Sequence, residues 1–352
     1  MSVSAGKSIN QKEKEFLKPM KIGSMKKIAA LLAASMVLFS AAGCSRTPAS
    51  SSSEAPSSAA PSSSVSVSSS KPASSSSVAP SSSEPEIPMI EVPDNTLKVT
   101  EAIGINDDVY AYLYIPDTQL DEPVVCAANY SDSKSYYAHY DTTNKRRNWK
   151  GEISDDGYGV TGALYFHPKA NLDSRESLSP NVVIFGHNPG RVDPSQPYDA
   201  QILEDNPEAP KFAQLYKFLD EDFAKNHPYI FVSTETDNLC YQIIAVYWTE
   251  SETEPYKYYS SNLKPDQVLA VAEDALLRSE WIYDGVELEE GDKFLTLSTC
   301  TYHFTPDMEP AVAVKKAEAY RFVVMAKLLE EGATGEATAS ITKNPEPKQP
   351  QV

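Results

Sequence analysis

Apolar positions gather into a series of short β-type runs between Val109 and Leu329, some alternating with polar residues and others continuous: "VYAYLYIP", "EPVVCAA", "GALYFH", "NVVIFGHN", "HPYIFVST", "CYQIIAVYWTE", "KFLTLSTC" and "YRFVVMAKLL". Runs of that length enriched in Val, Ile, Tyr and Phe predict strands. Turn residues separate them, and seven or eight strands at this spacing predict a barrel or a sandwich. Two stretches carry a different period. "KFAQLYKFLDEDFAKN" and "KPDQVLAVAEDALLRSE" place apolar residues three and four apart, and Pro265 opens the second, so both predict helices. The expected fold class is mainly β, a barrel decorated with inserted helices. The chain has no internal repeat, no glycine-rich phosphate loop, no Cys-x-x-Cys and no clustered His ligands. The expectation is therefore that neither cofactor nor metal takes part.

Upstream the pattern changes character twice. "MKKIAALLAASMVLFSAAGC", Met25 to Cys44, has a cationic start and then an apolar core from Ile28 to Phe39 that is short for a membrane span. It reads as an export signal, so residues 1–44 form a leader; the other reading is an uncleaved anchor helix. Residues 45–86 are almost wholly Ser, Pro and Ala and cannot bury a core. As a flexible tether of about 40 residues they would have an r.m.s. reach of roughly 35 Å and a contour near 130 Å. Residues 87–332 are long enough for one domain with a sizeable core. The tail, 333–352, returns to a polar composition and is expected to be disordered.

The formal net charge is −18, and residues 1–44 carry seven lysines against two glutamates, so the remainder is more acidic still. That balance argues against nucleic acid and anionic headgroups as partners. Export also sets the chemistry open to a thiol. The chain has four cysteines. Cys126 and Cys240 sit inside apolar runs, where a thiol is usually a small hydrophobe. If Cys44 is modified an odd number remains, which leaves a thiol outside any pairing. Cys300 fits that role, because it ends "FLTLSTC", where the chain passes from a rigid strand into an irregular segment.

A nucleophilic thiol needs partners. Of the five histidines, His139, His167 and His227 occupy Tyr-rich or Pro-flanked contexts that suit surface or packing roles. His303 follows Cys300 closely, but strand alternation sends it elsewhere. His187 ends the buried-looking strand of "NVVIFGHNPG" between Gly186 and Asn188. It reads either as a catalytic imidazole at a strand edge or as a hydrogen-bonded turn residue. Arg321 heads the last strand, where a rigid fork of donors could fix a carbonyl or an oxyanion.

Taken together, "GHN" after an apolar strand, "LTLSTC" and the arginine of "RFVVMAKL" resemble the sortases, class B in particular. "DVYAYLYIPDTQLDEPVV", "YYAHYD" and "FAKNHPYIFVST" are similar to further class B segments, so the resemblance runs from about Asn106 to Leu329. It implies a closed sortase β-barrel with an N-terminal helical extension. His187, Cys300 and Arg321 become the catalytic set, and Ser298 a contributor to the substrate groove. The implied activity is transpeptidation through a Cys300 thioester. Substrates would be surface proteins bearing a C-terminal sorting motif, of Asn-Pro-x-Thr rather than Leu-Pro-x-Thr type, and the acceptor a peptidoglycan-precursor or pilin amine. "SAAGC" resembles a lipobox, which implies lipidation of Cys44 and a domain anchored at its N-terminus on the outer face of the cytoplasmic membrane. Two other readings keep the same residues: a cysteine hydrolase that releases the thioester to water, and a peptide-binding lipoprotein without chemistry. "TYHFTPDMEPAVAVKKAEAY", between Cys300 and Arg321, is about ten residues longer than class B enzymes usually carry. The Arg321 assignment therefore requires that insertion to loop out with the last strand in register.

Overall fold

The computed structural model describes residues 89–126, 136–148, 152–153, 161–190, 204–260, 262–305 and 308–351. The expected leader and tether, Cys44 included, lie outside the described residues. Eight strands close a barrel: β1 Val109–Tyr114, β2 Asp121–Val125, β3 Leu164–Phe166, β4 Asn181–Phe185, β5 Tyr229–Ser233, β6 Asn238–Glu250, β8 Phe294–Cys300 and β9 Tyr320–Leu328. Around the barrel the order is β1-β2-β3-β4-β8-β9-β6-β5, with β2–β3 and β4–β8 parallel and the other pairs antiparallel. The period of two explains the interior. Each strand turns one set of side chains inward, so Leu113, Val124, Leu164, Ile184, Val232, Val246, Leu297 and Val324 meet in one buried cluster. Each such burial is worth about 1.5–3 kcal/mol.

Helices cover parts of the outer wall. α1, Thr96–Ile105, precedes β1 and buries Val99 and Ala102, the latter against Val109, Val125, Tyr137 and Ala163. "KFAQLYKFLDEDFAKN" does not form one helix. It is a 3₁₀ helix, Lys211–Leu219, followed by α2, Glu221–Asn226. The break falls at Asp220, whose extended backbone lets its carboxylate accept from the Phe223 N–H at 2.9 Å, so the residue caps a new helix instead of continuing the old one. α3, Pro265–Arg278, lays Val268, Val271, Ala272 and Ala275 over Ile244, Tyr247, Phe294, Val323 and Met325. That cover buries β8 on both faces, which is why its sequence reads as a nearly continuous buried run. α4, Pro310–Ala317, lies within the insertion between β8 and β9.

The disordered tail expected over 333–352 is corrected. Ala333 and Thr334 pair with Ile90 and Met89, and β10, Ile341–Lys343, pairs with β7, Trp281–Tyr283. The strap then bonds Glu280, Leu277 and Glu250, and the Gln351 carbonyl accepts from the Tyr320 hydroxyl at 3.1 Å. Its polar composition concealed this order, since few of its residues, Ile341 and Pro350 among them, are buried, and backbone pairing to an exposed edge holds other parts of it.

Candidate active site

The ends of three adjacent strands bring the sequence-predicted set together. On β4 and β8, Phe185 lies opposite Ser298 in parallel register. Past the end of β4 the pairing continues: the Gly186 N–H donates to the Ser298 carbonyl at 3.3 Å and the Thr299 hydroxyl donates to the Gly186 carbonyl at 2.8 Å. Continuing that register brings His187, two residues past Phe185, level with Cys300, two residues past Ser298. On the other side of β8, Cys300 pairs directly with Arg321 of β9. The long insertion leaves this register intact, and α4 takes up part of its length.

His187 is half-buried, and its surroundings fix its chemical state. Its Nε2 hydrogen-bonds the Ala138 carbonyl, and its own carbonyl accepts from the Phe212 N–H at 2.9 Å. A carbonyl only accepts, so Nε2 carries the proton and Nδ1 is the basic nitrogen. Burial pushes the imidazole pKa down to about 4; the Ala138 bond opposes this, and the nearby His139 and Lys211 charges add to it. The ring is thus neutral near pH 7. The Ala138 carbonyl is held in place by a close backbone approach: a Cβ on Gly162 would stand 2.0 Å from the Tyr137 carbonyl oxygen and 2.6 Å from the Ala138 carbonyl carbon.

Cys300 is half-buried and is a thiol, as are the buried Cys126 and Cys240. Arg321 is held by the end of the insertion. Its Nη1 donates to the carbonyls of Glu318 at 2.7 Å, Tyr320 at 2.9 Å and Ala317 at 3.5 Å. Carbonyls at the C-terminal end of a helix lack intrahelical partners and carry partial negative charge, so α4 supplies a natural seat for a cation. The fork has donors beyond the one nitrogen these contacts use.

Ser298 lies on the same face of β8 as Cys300 but is only 1% exposed, and its hydroxyl is 2.8 Å from that of Tyr258. It does not open directly onto a groove. Tyr258 covers it, and burial pushes that phenol up to about 12, with the Arg321 charge opposing. The other histidines make other contacts, although the charge of His139 is near enough to act on His187. His227 bonds Asp117 at 2.8 Å and stacks on Phe223, the Nδ1 of His167 accepts from the Lys169 N–H, His139 is exposed, and His303 stacks on Trp248 with ring centroids 4.4 Å apart. Two residues that the sequence did not single out also belong to the site. The Asn188 Nδ2 donates to the Cys300 carbonyl at 3.1 Å and to Asp205 Oδ1 at 2.6 Å. Polar loop residues carry no periodic signal, so only their meeting in space reveals them. Among the described residues no group of His, Cys, Asp and Glu could hold a metal ion, and no helix is long and apolar enough to cross a membrane.

No family model matches the chain. It is similar to Sortase B of Listeria monocytogenes serovar 1/2a, with 27% identity over 199 residues that cover 56% of this chain and 64% of that protein. The chain thus spans a little under two thirds of the curated relative's length. Solved structures similar to it include Sortase B of Clostridium perfringens, with 22% identity, a TM-score of 0.46 and coverage of 66% of this chain and 99% of that one. Staphylococcus aureus Sortase B gives 18% identity and a TM-score of 0.46 over 66% and 86% of the two chains. This chain, with an eight-stranded barrel and His187, Cys300 and Arg321 at the ends of adjacent strands, is similar to Sortase B over more than half its length.

Proposed function

We propose that this chain is a class B sortase-like cysteine transpeptidase. The observation that carries the reading is the placement of Cys300 between His187 on the parallel side of β8 and Arg321 on the antiparallel side. As the Cys300 sulfur attacks the carbonyl carbon of the Thr in a sorting motif, its proton passes to Nδ1 of the neutral His187. The imidazolium returns that proton to the leaving amine as the C–N bond breaks, which leaves a thioester. An acceptor amine then attacks the thioester and gives up a proton to Nδ1, and the thiol is regenerated. Arg321 holds the carbonyl oxygen through donors not committed to α4, a contribution of about 3–4 kcal/mol if it behaves like other oxyanion donors. Ser298 acts indirectly, by seating Tyr258 beside the site.

The substrates are surface proteins with a C-terminal sorting motif, the acceptor is a cell-wall precursor or pilin amine, and Cys44 anchors the domain outside the cytoplasmic membrane. Purified domain mixed with a labelled Asn-Pro-x-Thr peptide, with and without an amine acceptor, tests the reading. Amide product that depends on the amine supports transpeptidation. Hydrolysis unaffected by amine indicates a peptidase, and binding without an adduct indicates a non-catalytic module.

A further inference from the structure

Asp205, in the polar stretch "EDNPEAP", stands next to neither the His187 strand nor the Cys300 strand in sequence, yet it bonds the loops that follow both. Its Oδ1 accepts from the Asn188 Nδ2 at 2.6 Å and from the Tyr302 N–H at 2.8 Å, and its Oδ2 accepts from the Thr301 hydroxyl at 2.8 Å. Asn188 immediately follows His187, while Thr301 and Tyr302 immediately follow Cys300. Asn188 closes the loop a second time by donating to the Cys300 carbonyl at 3.1 Å, while its Oδ1 accepts from the Gly190 N–H at 3.0 Å. The two loops also interlock sterically: Gly190, at φ +65°, has room for no side chain, because a Cβ there would meet the Tyr302 ring at 2.8 Å.

β4 ends at Phe185, so regular ladder bonding does not itself carry His187. Besides the two bonds at Gly186, the Phe212 N–H on the His187 carbonyl and the Ala138 carbonyl on its ring, what ties His187 to the Cys300 loop is the set of contacts that holds Asn188 there. Both carboxylate oxygens are occupied in doing so. On the reading of this chain as a transpeptidase, we propose that Asp205 is a positioning residue that fixes His187 relative to Cys300 through Asn188, Thr301 and Tyr302. It acts by geometry. The bonds of Asp205 reach the two loops and not the imidazole, whose lowered pKa has burial as its largest cause. Burial raises the Asp205 carboxyl despite its donors, as expected for a group enclosed between two loops.

A geometric clamp separates two substitutions. Asp205→Asn keeps an oxygen for Asn188 and Tyr302, and its NH₂ can donate to a rotated Thr301 hydroxyl. Asp205→Ala removes every bond. Single-turnover acylation by an Asn-Pro-x-Thr peptide, normalised to active sites titrated with a thiol reagent, should show Asp205→Ala slowed about 100-fold with little change in KM, and Asp205→Asn within about tenfold of the parent. Because Asp205 works through Asn188, most of that loss should disappear when Asp205→Ala is made in an Asn188→Ala background. A purely structural role would lower Tm and the titratable fraction while each remaining site turned over at the parent rate. That outcome, equal losses in the Asn and Ala variants, or additive losses in the cycle would each overturn the proposal. If the parent forms no acyl-enzyme, the transpeptidase reading fails, and iodoacetamide alkylation of Cys300 at neutral pH decides the positioning claim without substrate. Slower alkylation in Asp205→Ala but not in Asp205→Asn upholds it, and equal rates in all three proteins overturn it.

Discussion

Cys300 and Arg321 face each other as cross-strand partners on β8 and β9, although the chain between them contains a helix. The helix is part of the arrangement. Its C-terminal carbonyls, together with that of Tyr320, hold one nitrogen of the Arg321 guanidinium, so the insertion that extends the connection also aims the cation.

Arg321→Lys is expected to lose about 100- to 1,000-fold in kcat, because a point charge on a flexible stem cannot serve the α4 carbonyls and a substrate oxygen together. Single-turnover acylation measures it. Near-parent turnover would assign the role to another cation of the insertion, such as Lys315; Lys316 already lies over the Tyr320 ring at 5.3 Å.

Gly162→Ala should damage the site from a distance. Its new methyl group would collide with the Tyr137 and Ala138 carbonyls, which are backbone atoms that cannot step aside, and the Ala138 oxygen would leave His187. The expected stability cost is about 1–3 kcal/mol, with acylation falling at least tenfold in the folded fraction. Urea unfolding and kinetics on one preparation check both, and unchanged acylation would show that Ala138 does not matter to the ring.

The state of His187 makes stability depend on pH in a definite direction. The unfolded chain binds a proton at this ring near pH 6.5, whereas the folded chain resists until about 4. The unfolded state therefore holds more protons between those values, and the stability associated with His187 is full above about 6.5 and falls as the pH drops toward 4. Urea unfolding at pH 7, 5.5 and 4.5 should show a shallower acid loss in His187→Asn than in the parent. Equal slopes would mean that the ring titrates normally.

Much of the barrel was legible because its signal is periodic. Alternation from Val109 to Tyr114 and the run from Phe294 to Cys300 give strands directly, and strand ends are where His187, Cys300 and Arg321 fall. Other parts had no such signal. The Ala138 carbonyl is a backbone atom that any residue could supply, Asn188 and Asp205 are ordinary loop residues until the fold brings them together, and the Asp220 cap splits an otherwise helical period. Ser298 was legible as a neighbour of the cysteine, but its cover by Tyr258 depends on a loop far away in sequence.

The strap offers a test of the part that composition hid. Ile341 is 5% exposed, and beside it Lys343 lies over the Trp281 ring at 4.7 Å. Ile341→Ala should cost about 2 kcal/mol in thermal or urea unfolding, near the low end for a buried Ile because the site is peripheral. A disordered tail would give no change.

The central claim is that Cys300 becomes acylated with the help of His187, and intact-mass spectrometry of the domain incubated with an Asn-Pro-x-Thr peptide tests it most directly. The account predicts a hydroxylamine-sensitive adduct equal in mass to the N-terminal peptide fragment in the parent protein. It predicts no adduct in Cys300→Ala and an adduct that forms at least 100-fold more slowly in His187→Ala. An adduct that persists in Cys300→Ala, or one that forms at the parent rate without His187, would contradict it.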